Sequence, residues 1–162
     1  MYKKAWQEIL KAKSILLISH IRPDGDTLGS VLALYLVLRD LGKRVSIYNP
    51  SPTMPSRFDF LPNIRKIKNE IPKEKIDLAI ACDCGSWDRT GFGEKDFTLI
   101  NLDHHSSNDN FGDINIVKPD MPSATMVVYD LLRKNDIILS KEVALCLYVG
   151  FVEDTGFLPM ET

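Results

Sequence analysis

The chain lacks what a thiolate metal site, a membrane protein or a polyanion-gripping protein would need. Its 162 residues contain only three cysteines and three histidines. Cys82, Cys84 and Cys146 make no CxxC pair and no even framework, which excludes a zinc ribbon and a small disulfide scaffold. Cys82 and Cys146 lie in apolar runs and read as small buried hydrophobes. Cys84 follows Asp83 and has a reading as a soft ligand, but hard oxygen ligands dominate its surroundings. No apolar run is long enough to span a bilayer. Met1-Tyr2-Lys3-Lys4 opens an amphipathic stretch, with no apolar core of a signal peptide behind it. The expected location is the cytoplasm. Basic excess is missing too: 20 Lys and Arg stand against 22 Asp and Glu, for a formal charge of -2. A basic face that grips long nucleic acid is therefore not indicated. A small phosphorylated substrate held through cations would need none.

What is present suits one soluble domain of ordinary size, with 44% hydrophobic and 26% charged residues. Residues 3–13 read as a short amphipathic helix and 14–18 as a strand buried on both faces. The turn at Pro23-Asp24-Gly25-Asp26 leads into a helix over about residues 27–41, with Asp26 or Thr27 as its cap and Gly42 just past its end. Residues 43–48 form a second strand. Residues 49–62, with four prolines, form a loop, and 64–71 are ambiguous between helix and strand. Apolar strands follow over 76–82 and 97–102, with a loop over 85–93 between them and a short edge strand at 114–117. Helices near 123–135 and 140–153 close the pattern, the second capped by Ser140. Strands joined by crossovers predict one α/β domain, a mostly parallel sheet with helices on both faces.

The polar residues fall at the ends of the apolar runs. His20, Asp24 and Asp26 follow the first strand, Asp83 the third, and Asp103-His104-His105 the fourth. Asp154-Thr155-Gly156 closes the last helical stretch. In an open parallel sheet this edge is where ligands bind. Each motif alone has an ordinary reading, as a helix cap or a hydrogen-bonded histidine. Jointly, so many carboxylates beside imidazoles would repel one another without cations, and two divalent ions sharing a carboxylate remove the conflict. Asp and His ligands suit Mn²⁺, with Mg²⁺, Co²⁺ or Zn²⁺ as alternatives.

These motifs resemble the DHH phosphoesterases. His20-Ile21-Arg22-Pro23-Asp24-Gly25-Asp26 matches that family's His-x-x-Pro-Asp-x-Asp, Asp83 its second motif, Asp103-His104-His105 its third and Asp154-Thr155-Gly156 its fourth. Gly25, Gly29-Ser30 and Phe111-Gly112-Asp113 are more similar to the nanoRNase and phosphoadenosine-phosphate phosphatase branch. Family II pyrophosphatases share the first motif and remain the rival. The resemblance implies two metal ions, one on His20, Asp24 and Asp83, the other on Asp26, Asp83, His104 and Asp154. It implies hydrolysis of phosphodiester or phosphomonoester bonds by a metal-activated water. The substrates would be short single-stranded RNA or 3′-phosphoadenosine 5′-phosphate, and a homodimer is a candidate assembly. Asp83 would be the shared, catalytic ligand, and His105 would contact the phosphate or act as an acid, against a purely structural hydrogen bond. Asp103 would orient the imidazoles. Arg89 has two readings, a bidentate phosphate contact or an ion pair with Asp88. Relatives of this kind continue into a second, substrate-binding DHHA1 domain, which is expected to be missing here. An inactive metal-binding or regulatory module is the remaining alternative.

Overall fold

In the computed structural model, which describes residues 1–156, Ser14–Ile18 forms β1 and is buried at every position. Its unbroken apolar run fits a strand with both faces covered. β2 (Arg44–Tyr48) flanks it on one side and carries the two-residue edge strand β3 (Ile67–Lys68). β4 (Leu78–Cys82), β5 (Thr98–Asp103) and β6 (Ile114–Val117) extend the other side. All pairings are parallel, in the order β3-β2-β1-β4-β5-β6. The direction of winding reverses between β1 and β4, the place where such sheets hold ligands.

Four helices accompany the sheet: α1 (Tyr2–Lys11), α2 (Gly25–Asp40), α3 (Ala124–Lys134) and α4 (Lys141–Thr155). All four contribute to one apolar core with Ile15, Leu17, Ile80, Ile100 and Leu102 of the strands. The expected helices on both faces resolve differently. A right-handed crossover from β1 to β2 lays α2 on one face, and the same hand sends the β4–β5 and β5–β6 connections over the other. Those two connections contain only a 3₁₀ turn, Trp87–Thr90, and loop. The second face is therefore covered by aromatics, with Trp87, Phe92, Phe97 and Phe111 packed on Leu16, Ile18, Ala79, Ala81 and Leu99. Ring centroids of Trp87–Phe92 and Phe92–Phe97 lie 5.5 Å apart, the spacing of favourable tilted and edge contacts.

The cap of α2 also departs from expectation. Asp24, extended at φ -106°, accepts the Thr27 amide at 3.0 Å, so the helix begins two residues earlier than its apolar pattern suggests. Asp26 cannot serve because its carboxylate is committed to another helix, as described below. Gly42 at φ 80° ends α2 and Ser140 caps α4, both as expected. Residues 64–71 become a 3₁₀ turn (Ile64–Lys66) and then β3. The crossing of α2 and α4 depends on two glycines. A Cβ on Gly29 would run into the Cys146 carbonyl, and one on Gly150 into Thr125, 3.0 Å from the Asp26 backbone. Among the described residues no helix is long and apolar enough to cross a membrane.

Candidate metal centre

The loop after β1 is held from both sides. Asn49 donates to Ser19 Oγ at 2.7 Å and to the His20 carbonyl at 2.8 Å, and the Ile21 amide donates to the Arg89 carbonyl at 3.1 Å. His20 is thereby fixed at the carboxyl edge, 6% exposed. Its Nδ1 lies 2.6 Å from the Ile21 carbonyl, which can only accept, so Nδ1 carries a proton. Its Nε2 faces Thr27 Oγ1 at 3.0 Å and Asp83 Oδ2 at 3.6 Å. Asp24 reaches the same hydroxyl, at 2.9 Å, with the oxygen that caps α2. Thr27 was assigned no role in the site by its sequence position, and only its place three residues after Asp24 hints at one.

Asp26 is fully buried in the first turn of α2 and accepts the Ala124 and Thr125 amides at 2.8 and 2.9 Å. These are the first amides of α3, where a negative charge is favourable. Burial and the nearby Asp83 charge nevertheless outweigh the two amides and push its carboxyl up to about 8. Asp154, on the last turn of α4, lies with its Oδ2 3.2 Å from His104 Nε2. Its neighbour Glu153 accepts the Gly25 amide and the Arg57 guanidinium, both at 3.0 Å, and ties α4 to the start of α2.

His104 Nε2 is 3.4 Å from Asp26 Oδ2 and 3.7 Å from Asp83 Oδ1. The ligand atoms of Asp26, His104 and Asp154 thus fall within 4.8 Å of one another, as do those of Asp83, Asp103, His104 and His105. His20 and Asp24 are drawn to Asp83 through Thr27 instead. Asp103, fully buried at the end of β5, bonds His105 Nδ1 at 2.7 Å through one oxygen and accepts Asn108 at 2.6 Å through the other. Burial pushes the Asp103 carboxyl up, but these bonds prevail and hold it below the ordinary carboxylate value. The bond from Asp103 pushes the half-exposed His105 up to about 9. Asp103 hydrogen-bonds the ring of His105 and not that of His104, whose Nδ1 instead faces the Met121 carbonyl at 3.4 Å.

For two side chains one of the readings weighed is not met. Arg89 makes no ion pair with Asp88; its carbonyl anchors the His20 loop and its guanidinium stands 3.5 Å from His20 Nδ1. Cys84 is buried, donates to the Ser86 carbonyl at 3.0 Å, and is pushed up to about 11 mainly by burial. Its Sγ is turned onto that carbonyl and is not among the clustered donor atoms.

The donor set fits divalent cations. Asp83 is 2% exposed, and its Oδ1 is buried with no hydrogen-bond partner. Such an orphan costs about 1–3 kcal/mol, more when charged. His104 turns its Nε2 toward three carboxylates, those of Asp26, Asp83 and Asp154. Converging carboxylate oxygens and imidazole nitrogens that outnumber their donors suit a divalent cation.

Fold and site define an α/β protein with a carboxylate–imidazole cluster that could hold a divalent cation at the switch point of a parallel sheet. The chain belongs to the DHH family, its residues 14–151 matching the family's N-terminal domain. It is 32% identical over 154 residues to the bifunctional oligoribonuclease and PAP phosphatase NrnA of Thermus thermophilus, covering 92% of this chain and 46% of that protein. A probable manganese-dependent inorganic pyrophosphatase of Streptococcus thermophilus is 24% identical over 155 residues, 91% of this chain and 50% of that one. The crystal structure of an exopolyphosphatase-related protein from Bacteroides fragilis matches with a TM-score of 0.89 at 26% identity, over 96% of this chain and 50% of that chain. The chain spans about half the length of the curated relatives it matches.

Proposed function

We propose that residues 1–162 form the catalytic domain of a cation-dependent phosphoesterase acting on short oligoribonucleotides or 3′-phosphoadenosine 5′-phosphate. The observation that carries this reading is the orphaned, buried Asp83 Oδ1 between His104 Nε2 and His105 Nδ1. His20, Asp24 and Asp83 would hold one divalent ion, and Asp26, Asp83, His104 and Asp154 a second, with Mn²⁺ the first choice and Mg²⁺, Co²⁺ or Zn²⁺ as alternatives. When bound, such ions polarise a phosphoryl oxygen and supply a nucleophilic water at neutral pH.

The remaining work falls to the chain itself. His105, raised to about 9 by Asp103, carries a proton near neutral pH. It can hold a phosphate oxygen or protonate the leaving oxygen. Asp103 fixes its ring, and Asn108 fixes Asp103. Arg89, exposed and without a carboxylate partner among the described residues, is left to meet a substrate phosphate. Selection of base and chain length belongs, on this reading, to a DHHA1 domain outside these residues, so this chain alone binds Mn²⁺ but turns substrate over weakly. Its three buried, unpaired thiols suit a reducing cytoplasm.

Assays with Mn²⁺ should detect hydrolysis of a 5′-phosphorylated dinucleotide or 3′-phosphoadenosine 5′-phosphate, with Asp83→Ala inactive. Preference for pyrophosphate would favour the pyrophosphatase reading, which the Streptococcus relative supports. Metal binding without any hydrolysis would favour a regulatory module.

A further inference from the structure

Thr27 Oγ1 lies 2.7 Å from Asp83 Oδ2, 2.9 Å from Asp24 Oδ1 and 3.0 Å from His20 Nε2. Thr27 is fully buried, and His20 and Asp83 are nearly so. A hydroxyl has one proton to give. Because His20 Nδ1 holds a proton against the Ile21 carbonyl, a neutral ring offers Nε2 as a third acceptor. An imidazolium would instead donate from Nε2, and the hydroxyl proton would still have to choose between two carboxylates. In both protonation states acceptors outnumber the proton.

We infer that the Thr27 hydroxyl is an internal stand-in for a cation, partly satisfying His20, Asp24 and Asp83 while no metal is bound and so weakening metal binding there. The inference rests on the cation-dependent reading above. Removing the hydroxyl takes a charge-assisted hydrogen bond from the metal-free chain and leaves a buried carboxylate oxygen unpaired. The metal-bound chain loses less, because the cation satisfies the same oxygens. The difference between the two losses appears as tighter binding. A purely structural role for Thr27 has the opposite sign, since lost packing and looser ligands weaken binding or leave it unchanged. The α2 cap survives the substitution, because Asp24 also accepts the Thr27 backbone amide.

The test is calorimetric titration of the full chain with MnCl₂, alongside thermal unfolding with and without the metal. Thr27→Val should melt lower than wild type without metal, bind Mn²⁺ about tenfold more tightly, and gain more in Tm on adding it. Thr27→Ser keeps the hydroxyl and should return the wild-type Kd. Thr27→Ala removes the same proton and serves if the valine variant does not fold. Equal or weaker Mn²⁺ binding by the hydroxyl-free variant, with wild-type binding intact, overturns the inference and leaves the metal reading standing. A wild-type chain that binds no Mn²⁺ overturns that reading, and the inference falls with it.

Discussion

Asp83 sits at φ 56°, in the left-handed region, with its amide on the Leu102 carbonyl at 2.9 Å. Aspartate and asparagine tolerate this conformation better than other residues that carry a Cβ. Asp83→Asn is therefore the cleaner probe, keeping the backbone while removing one of the crowded charges. It should melt no lower than wild type without metal and lose most of the Mn²⁺-induced rise in Tm. In wild type that rise corresponds to about 2.7 kcal/mol at a hundredfold excess over Kd. Thermal unfolding with and without metal checks both statements. A second residue-scale prediction concerns Asp103. Because its bond to Nδ1 is the first cause of the raised His105 value, Asp103→Asn should bring His105 down from about 9 toward the ordinary imidazole value. An NMR titration of the His105 ring reads this directly, and an unmoved midpoint would remove Asp103 from the argument.

The metal motifs are brought together by how closely the helices cross. Gly150→Ala forces α4 away from Thr125 and Asp26, which should cost about 1–3 kcal/mol in denaturant unfolding and weaken Mn²⁺ binding through Asp154. Gly85→Ala, where a Cβ meets nothing within 4 Å, is the control. Much at this scale was legible from the chain. β1, β4 and β5 announce themselves as continuous apolar runs, and Gly42 and Ser140 mark helix ends through their backbone and capping chemistry. What covers the second face was not legible, because apolar runs report that a face is buried without saying by what. The handedness of the β4–β5 and β5–β6 crossovers decides it, and Trp87 and Phe92 look like loop residues until that hand is applied. Likewise Asp26 and Thr27 read as the cap candidates of α2, and Asp24 takes the cap only because α3 claims the Asp26 carboxylate from 98 residues away. Thr27 and Asn108 act through contacts made only after the strands converge.

For the molecule as a whole, the proposed function sets protons and cations in competition for the same centre. Asp26 at about 8 and His105 at about 9 both bind protons more tightly in the folded chain than in the unfolded one. Their stabilisation is complete below the unfolded values, about 3.8 and 6.5, and is lost as pH rises through about 8 and 9. The metal-free chain should therefore melt lower at about pH 8.5 than at about pH 6.5. Cations must displace the Asp26 proton at the lower pH but meet a carboxylate at the higher one, so the Mn²⁺-induced rise should grow with pH. Melting curves at the two values, with and without metal, decide it; a rise that shrinks with pH would contradict the assignment of Asp26. Asp26 also links the centre to α3, which supplies none of the proposed ligands. Its two oxygens hold the Ala124 and Thr125 amides, so any change in the charge those oxygens carry is passed to the first turn of α3. Their ¹⁵N–¹H resonances and deuterium exchange rates should thus record occupancy of the centre, giving a spectroscopic gauge that needs no substrate and no turnover.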